Sequence, residues 1–479
     1  MYQADNPDFM TADRDFDSVD NFSVLMQIQK AFEAGHDINV SDLSGGQAGR
    51  LQSLEDTFKN IVFEEDAAAL FKDVTKVRVK STVLEHARIN DVAGAVFYAE
   101  GGDVDNLNDS MDRKYDLVKY AGVKGSVTFQ AELTQMIQDA IVTETQNKTR
   151  SLVRSLDLAL SFGNASINTY EFDGIVKAVP EGSKTPSQHI LDMRGQRLTD
   201  KVINRGCTVI KSWFGFKNLK LWLSLDAIEN YIAEKTETRT YFVNAGGDKT
   251  VAPTDQDFST FRVANGRGVV KEDVFLRAQT TVTNRIINEE RDTFVKSHPS
   301  APDAPTVVLD QESSSSPYSV DNGIWNVLVV PFNQFGEGMA SENSITVSGG
   351  GKKIKITVTA AGTGNATLGY KIYRKPNSIT DKGEYYITNY LGYKNTGSAM
   401  VIYDDNEYIP GCTWGFMYED YPNQVYHISQ LADMMKLPYG IKADKREWLQ
   451  KVYLTPRYYN PERFFLLKNM GVAPWVTSP

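Results

Sequence analysis

The chain has 479 residues, a formal net charge of −10, 41% hydrophobic and 23% charged residues, so it is a folded protein of roughly two to four structural units rather than a disordered chain. The acidic balance argues against a dedicated DNA binder, which needs clustered Lys and Arg to neutralise phosphates. No run of about 18 apolar residues reads as a membrane span, and Met1 to Asp8 lacks the basic and apolar regions of a signal peptide, so the reading is of a protein made and folded in cytosol.

Residues 1–72 read as an N-terminal arm. It is polar and acidic at first, then amphipathic at Phe22, Leu25, Met26, Ile28 and Phe32. A turn follows at Ser41–Gly46, and a second helix reads from Gly49 through Leu51, Leu54, Phe58 and Ile61. Residues 73–98 alternate in strand fashion, with Lys76, Arg78 and Lys80 opposing Val77 and Val79. A polar excursion rich in Gly and Asp occupies 99–116. A second strand-like segment, 116–128, then pairs with the first as a long projecting hairpin, giving a unit at 73–128.

Gln130 to Ser161 contains neither Gly nor Pro, and Leu133, Ile137, Ile141, Leu152, Leu156 and Leu160 recur on one side. This predicts a helix roughly 45 Å long, stopped by Gly163-Asn164 and forming a unit at 129–164. Residues 165–297 read as a mixed α/β body. It holds a loop rich in Pro, Gly and Ser after Ile175, a helix at Asp192–Arg205, a buried strand at Leu219–Ser224 and a helix from Leu225 to Lys235.

The linker Ser297–Pro305 carries three prolines. From 298 to 417 the chain is strand-like, as at Trp325–Val330, Ile354–Thr359, Gly369–Arg374 and Tyr385–Asn389. Turn signals recur about every ten residues, which predicts an inserted β-sandwich. Residues 418–479 bring hydrophobic strands back to the body: amphipathic Val425–Leu437, then Trp448–Thr455, a Pro turn, and Phe464–Asn469.

Patterns that carry chemistry were weighed against plainer readings. The five histidines are scattered and form no HExxH motif. Gly349-Gly350-Gly351-Lys352-Lys353 lacks the first Gly and the Ser or Thr of a phosphate loop and reads as a hairpin turn. Asp13–Ser18 starts like a calcium loop but has Ser18 where Gly is needed and Val24 where the bidentate Glu belongs. Asp404-Asp405-Asn406-Glu407 is an acidic turn before it is a cation site. No GxSxG occurs, and Cys207 and Cys412 read as free thiols. No catalytic, cofactor-binding or metal residues are assigned, and the reading is of a protein that is not an enzyme and needs no cofactor.

The order of elements resembles the major capsid proteins of tailed phages, the HK97-type fold. The resemblance is carried by Ala159-Leu160-Ser161-Phe162-Gly163-Asn164 followed by Phe172-Asp173-Gly174-Ile175. Leu221–Ile228, Val425–Pro438 and Leu467–Val472 carry it further. It implies an α+β fold with an N-arm, an E-loop hairpin, a spine helix in a peripheral (P) domain, an axial (A) domain and a C-terminal return. The insert resembles immunoglobulin-like and fibronectin-type modules through Trp325–Glu337 and Gly369–Arg374, which implies an outward-facing decoration. The implied function is a virion subunit assembled in the host cytoplasm. Its hexamers and pentamers form an icosahedral head around double-stranded DNA, without sequence readout or membrane contact, and its partners are a scaffold, a portal and decoration proteins. Intersubunit pairing is implied between the acidic loop Asp103, Asp105 and Asp109 and the basic Arg113 and Lys114. No Lys–Asn cross-link is assigned. The competing readings are an encapsulin-like compartment shell and a β-sandwich adhesion or carbohydrate-binding protein.

Overall fold

The computed structural model describes residues 68–471 apart from 96, 99, 101, 103–107, 134–138, 215–217, 238–259, 264–265, 289–292, 316–317, 363, 398, 422–423 and 440–443. The arm helices and the Asp13–Ser18 loop expected from sequence lie outside the described residues.

A short helix, α1 (Ala69–Asp73), is followed by β1 (Lys76–Arg78), β2 (Val83–Asp91), β3 (Ser110–Leu117) and β4 (Lys119–Thr128). Strands β2 and β3 form an antiparallel hairpin from Val83↔Leu117 to Ile89↔Met111. This corrects the expected pairing of 73–98 with 116–128. The return strand is 110–117, and β4 leaves to pair with residues 445–454 near the other end of the chain. The break falls at Val118, whose side chain is buried and whose N–H donates to Thr82 O at 2.9 Å.

Two helices, α2 (Phe129–Leu133) and α3 (Ala140–Phe162), stand where one was expected. The spine α3 is roughly 34 Å long at 1.5 Å per residue. It buries Leu152, Val153, Leu156 and Leu160 along one stripe and ends before Gly163. The expected loop after Ile175 is partly helical: α4 (Ile175–Gly182) puts Ile175, Val176 and Val179 in the core despite Pro180. Next come α5 (Pro186–His189), β5 (Ile190–Asp192) and α6 (Asp200–Phe214). The last lies later than the expected Asp192–Arg205, because Arg194 and Gly195 take φ of 48° and 81°, which a right-handed helix does not accept. Strand β6 (Asn218–Leu223) and α7 (Leu225–Glu237) fall where the sequence placed them. Strands β7 (Thr260–Val263) and β8 (Gly266–Glu272) precede a 3₁₀ turn at Val274–Leu276 and the short ribbon β9 (Ile287–Asn288) and β10 (Thr293–Phe294).

The strands of the next segment are β11 (Thr306–Ser313), β12 (Gly323–Asn333), β13 (Gly336–Glu337), β14 (Ser341–Val347), β15 (Lys352–Thr359), β16 (Gly369–Pro376), β17 (Tyr386–Ile387), β18 (Tyr393–Lys394) and β19 (Met400–Asp404). One sheet has the order β11-β15-β19, and a second is built on β12 and β16. Val327, Val329, Val347, Ile354, Ile356, Tyr370, Ile372 and Ile402 fill the space between them. The unbroken apolar run of β12 has a physical cause. Val327 and Val329 face this sandwich core, whereas Leu328 and Val330 join the core of the body. A strand buried on both faces loses its polar alternation. Gly349, Gly350 and Gly351, all at positive φ, join β14 to β15. These strands do not pair with each other, so the turn crosses from one sheet to the other instead of closing a hairpin.

The chain ends with β20 (Cys412–Glu419), β21 (Tyr426–Pro438), β22 (Lys445–Tyr458) and β23 (Phe464–Gly471). Strand β20, assigned to the insert by the sequence reading, pairs with β6 and β23 of the body. It is the central member of a mixed sheet of order β5-β23-β20-β6-β8-β7. The other body sheet has the order β1-β21-β22-β4, and α3 packs on β4. Pro456 does not turn the chain. It lies within β22 opposite Ile428.

Candidate assembly surface

Register divides the β2–β3 hairpin into two unlike faces. Val83, Glu85, Ala87 and Ile89 lie opposite Leu117, Tyr115, Arg113 and Met111 on one face. All are exposed, with Met111 and Tyr115 at 67% and 68%. The other face carries Leu84, His86, Arg88, Asp112, Lys114 and Asp116, and it is this polar face that meets the body. Leu84 is buried there, and Arg88 Nη1 donates to Gly182 O at 3.3 Å.

Arg457 of β22 holds the root. Its Nε donates to Asp116 Oδ2 at 3.3 Å and its Nη2 to His86 Nδ1 at 3.1 Å. Burial first, then Arg457, Arg88 and Lys114, lower the His86 pKa to about 4, so at neutral pH the ring is an uncharged acceptor. The His86 ring packs edge-on against Tyr459 at 4.9 Å, and the Arg457 guanidinium lies over the same tyrosine.

Among the expected pairing residues, Asp103 and Asp105 lie outside the described residues. Asp109 is exposed, and its Oδ1 accepts from Ala93 N at 2.7 Å, bridging the two sides of the hairpin. Arg113 pairs with Glu85 across the hairpin, and Lys114 with Asp112 at 3.0 Å. Both cations are already engaged locally, and neither side of these pairs is buried. Sequence reading missed the apolar stripe beside them. Its signal was the alternation Met111, Arg113, Tyr115, Leu117.

The segment that carried the resemblance has a steric explanation. Gly174 N–H donates to Gly163 O at 2.9 Å. A Cβ on Gly174 would meet Gly163 N at 2.6 Å and Phe162 N at 2.7 Å. Two glycines therefore let the end of the spine helix touch the start of α4 backbone to backbone.

The acidic turn at 404–407 is occupied by cations of the chain itself. Arg374 Nη1 reaches Asp404 Oδ2, its Nη2 reaches Asn406 Oδ1, and Lys468 Nζ reaches Glu407 Oε1 at 2.6 Å. Among the described residues, no group of three or more His, Cys, Asp and Glu is placed to hold a metal ion. Cys207 and Cys412 are free and buried, and burial pushes both thiols up to about 12.

No protein-family model matches the chain. A protein of Enterococcus phage phiEF24C, assigned as its major capsid protein, is 21% identical over 438 residues, 87% of this chain and 88% of that one. Among solved structures, the chain is similar to the capsid of a native GTA particle, at 9% identity and TM-score 0.43 over 91% of this chain and 100% of that one. Gordonia phage Cozz gives 10% identity and TM-score 0.42 over 91% and 96%. The holo-SrpI encapsulin complex of Synechococcus elongatus PCC 7942 gives 8% identity and TM-score 0.41 over 93% and 99%. A two-stranded hairpin, a spine helix on a long-stranded sheet and a second mixed sheet closed by the C-terminal strands give the chain an α+β fold. The sequence likeness, along nearly the whole length of both chains, is to a phage major capsid protein.

Proposed function

We propose that copies of this chain assemble into hexamers and pentamers that close an icosahedral head around double-stranded DNA, in the host cytoplasm, with scaffold, portal and decoration proteins as partners. The observation that carries this reading is the β2–β3 hairpin. A two-stranded ribbon is marginal in water on its own, and this one turns five large apolar side chains outward: Val83, Ile89, Met111, Tyr115 and Leu117. Such a face becomes stable when a neighbouring subunit covers it, and a closed shell supplies that neighbour at every position. In this reading Asp103, Asp105 and Asp109 pair with Arg113 and Lys114 of the next subunit at the rim of that contact, exchanging the local partners Glu85 and Asp112. The arm at 1–72, the hairpin unit at 73–128, the spine at 129–164, the axial body at 165–297 and the return at 418–479 serve this assembly. The insert at 298–417, taken as immunoglobulin-like, faces outward. The role is structural, without catalysis.

The test is expression of the full chain with its scaffold, followed by sedimentation and negative-stain imaging. Closed shells with fivefold and sixfold capsomers support the reading, and persistent monomers overturn it. Particles filled with a cargo enzyme would favour an encapsulin-like compartment.

A further inference from the structure

Two carboxylates lie buried where three parts of the body meet. Asp157 is on the spine helix α3 and Asp273 caps the turn after β8, and both are 0% exposed. Each uses one oxygen on a backbone N–H of a different segment. Asp157 Oδ1 accepts from Phe71 N of α1 at 2.6 Å, and Asp273 Oδ1 accepts from Phe275 N at 2.8 Å. Asp273 N–H also donates to Leu223 O at the end of β6, at 2.9 Å. The second oxygen of each, Oδ2, is buried with no donor among the described residues, the spine helix packs on the turn that Asp273 caps, and the two carboxyls act on each other. Two ionised carboxylates buried together without a cation or a donor for their free oxygens repel each other, and keeping one as the acid removes that repulsion and supplies an O–H for the other.

We propose that Asp157 and Asp273 hold a shared proton, and that this proton clamps α1, the root of the N-terminal arm, to the spine helix and to the end of the β6–β8 sheet. The surroundings leave the proton as the stabilising charge. Burial acts first on both groups and raises both pKa values, that of Asp273 to about 6. No Lys, Arg or His among the described residues is among the groups acting on either carboxyl. On α1, Asp73 is turned to Lys220 and Lys271, at 2.7 and 3.5 Å. On α3, Arg154 donates to Thr283 O. Beyond the turn, Arg277 pairs with Asp226 at 3.1 Å. From the strands behind, the titratable neighbour is Tyr426, whose ionisation Asp157 opposes and which stays neutral.

The sign of the effect follows from the raised values. The folded pair holds protons that the unfolded chain releases near pH 4, so the clamp is complete below that pH. It weakens as pH rises toward 6, where Asp273 loses its proton. It weakens further above 6, by up to about tenfold per pH unit for the remaining proton. This is a property of the single subunit and stands whether or not the shell reading does.

The experiment is amide hydrogen exchange on the full-length unassembled subunit between pH 4 and 8, corrected for intrinsic exchange. It follows the segments 69–73 and 273–276. Wild type is expected to lose protection in both segments together as pH rises. D273N keeps an oxygen for Phe275 N–H and gives Asp157 an amide donor in place of the shared proton, so its profile is expected to be flat. D157N is the mirror variant and reads the same if D273N fails to fold. Protection in wild type that does not change with pH, or a slope that persists in both Asn variants, would overturn the clamp.

Discussion

Arg374 Nη1 lies 2.8 Å from Asp404 Oδ2, and both side chains are buried, at 1% and 4% exposure. The pair joins β16, in the sheet built on β12, to the end of β19 in the sheet of order β11-β15-β19. The second guanidinium nitrogen reaches Asn406, held at φ 66°, and Asn406 O accepts from Arg194 of the body at 2.9 Å. One side chain thus ties the two sheets of the sandwich to the strand that re-enters the body. Arg374→Ala leaves Asp404 as a buried charge without a cation, held only by the Asn406 N–H at 3.1 Å, at an expected cost of about 3–5 kcal/mol. Arg374→Lys cannot span both acceptors with one ammonium and is expected to fall between. Thermal unfolding of the full chain near neutral pH checks both. A loss below about 1 kcal/mol in the Ala variant would show that the pair adds little.

The exposed face of the hairpin predicts a separation of folding from assembly. Met111→Asp and Tyr115→Asp place charge at positions 67% and 68% exposed in the subunit. They should change subunit stability by no more than about 0.5 kcal/mol while abolishing shells. Reversing Arg113 and Lys114 to Glu is a harsher test of the charge pairing. Arg113→Glu also sets two carboxylates, 85 and 113, side by side on the hairpin, because Arg113 pairs with Glu85. Sedimentation of all variants beside wild type decides the matter. Normal shells from the Met111 and Tyr115 variants would remove the apolar face from the interface.

Much of the body was legible because its signals are local. Leu219 to Leu223 is a short apolar run followed by a helical pattern, and strand and helix stand there. The spine helix declared itself by spacing and by its Gly163-Asn164 stop. What stayed hidden depends on distant partners. Nothing near residue 118 announces that β4 abandons the hairpin for β22, since its partners are residues 445–454. Strand β20 reads as one more strand of the segment before it, and only its pairing with β6 and β23 shows that it belongs to their sheet. Pro180 misled in the opposite way. A proline late in a short helix forfeits one hydrogen bond, and burial of Ile175, Val176 and Val179 outweighs that loss. Arg457, Asp157 and Asp273 gave no local sign, because a lone Arg or Asp in sequence does not reveal whether it will be buried.

The contact of Gly174 with Gly163 gives a prediction of a different kind. A methyl group at 174 would sit 2.6–2.7 Å from backbone atoms of Gly163, Phe162 and Ser161, and backbone cannot swing aside as a side-chain tip can. Gly174→Ala is expected to destabilise the subunit by about 1–3 kcal/mol and to loosen α4 from the spine. Gly350→Ala is the control. Its Cβ has no atom within 4 Å, so only the strain of its φ of 59° remains, about 1 kcal/mol. Chemical denaturation of the two variants should rank them in that order.

His86 supplies the last prediction, and its sign opposes that of the carboxyl pair. Its pKa is lowered from the ordinary 6.5 to about 4, so the unfolded chain takes up a proton that the folded hairpin root refuses. The stability held there is complete above pH 6.5 and is lost as pH falls toward 4. Over the same range the Asp157–Asp273 clamp strengthens as pH falls, so a global melting curve sums two contrary effects and identifies neither. Local readouts separate them. Exchange in β2 and β3 is expected to rise on acidification while exchange at 69–73 declines. Arg457→Gln removes the nearest cation, and the His86 imidazole is expected to titrate at a higher pH in that variant, though still below the ordinary value because burial is the first cause of its shift. An NMR titration of the ring in wild type and variant measures this directly. A midpoint near 6.5 in wild type would show that the histidine is not held as a neutral acceptor by Arg457.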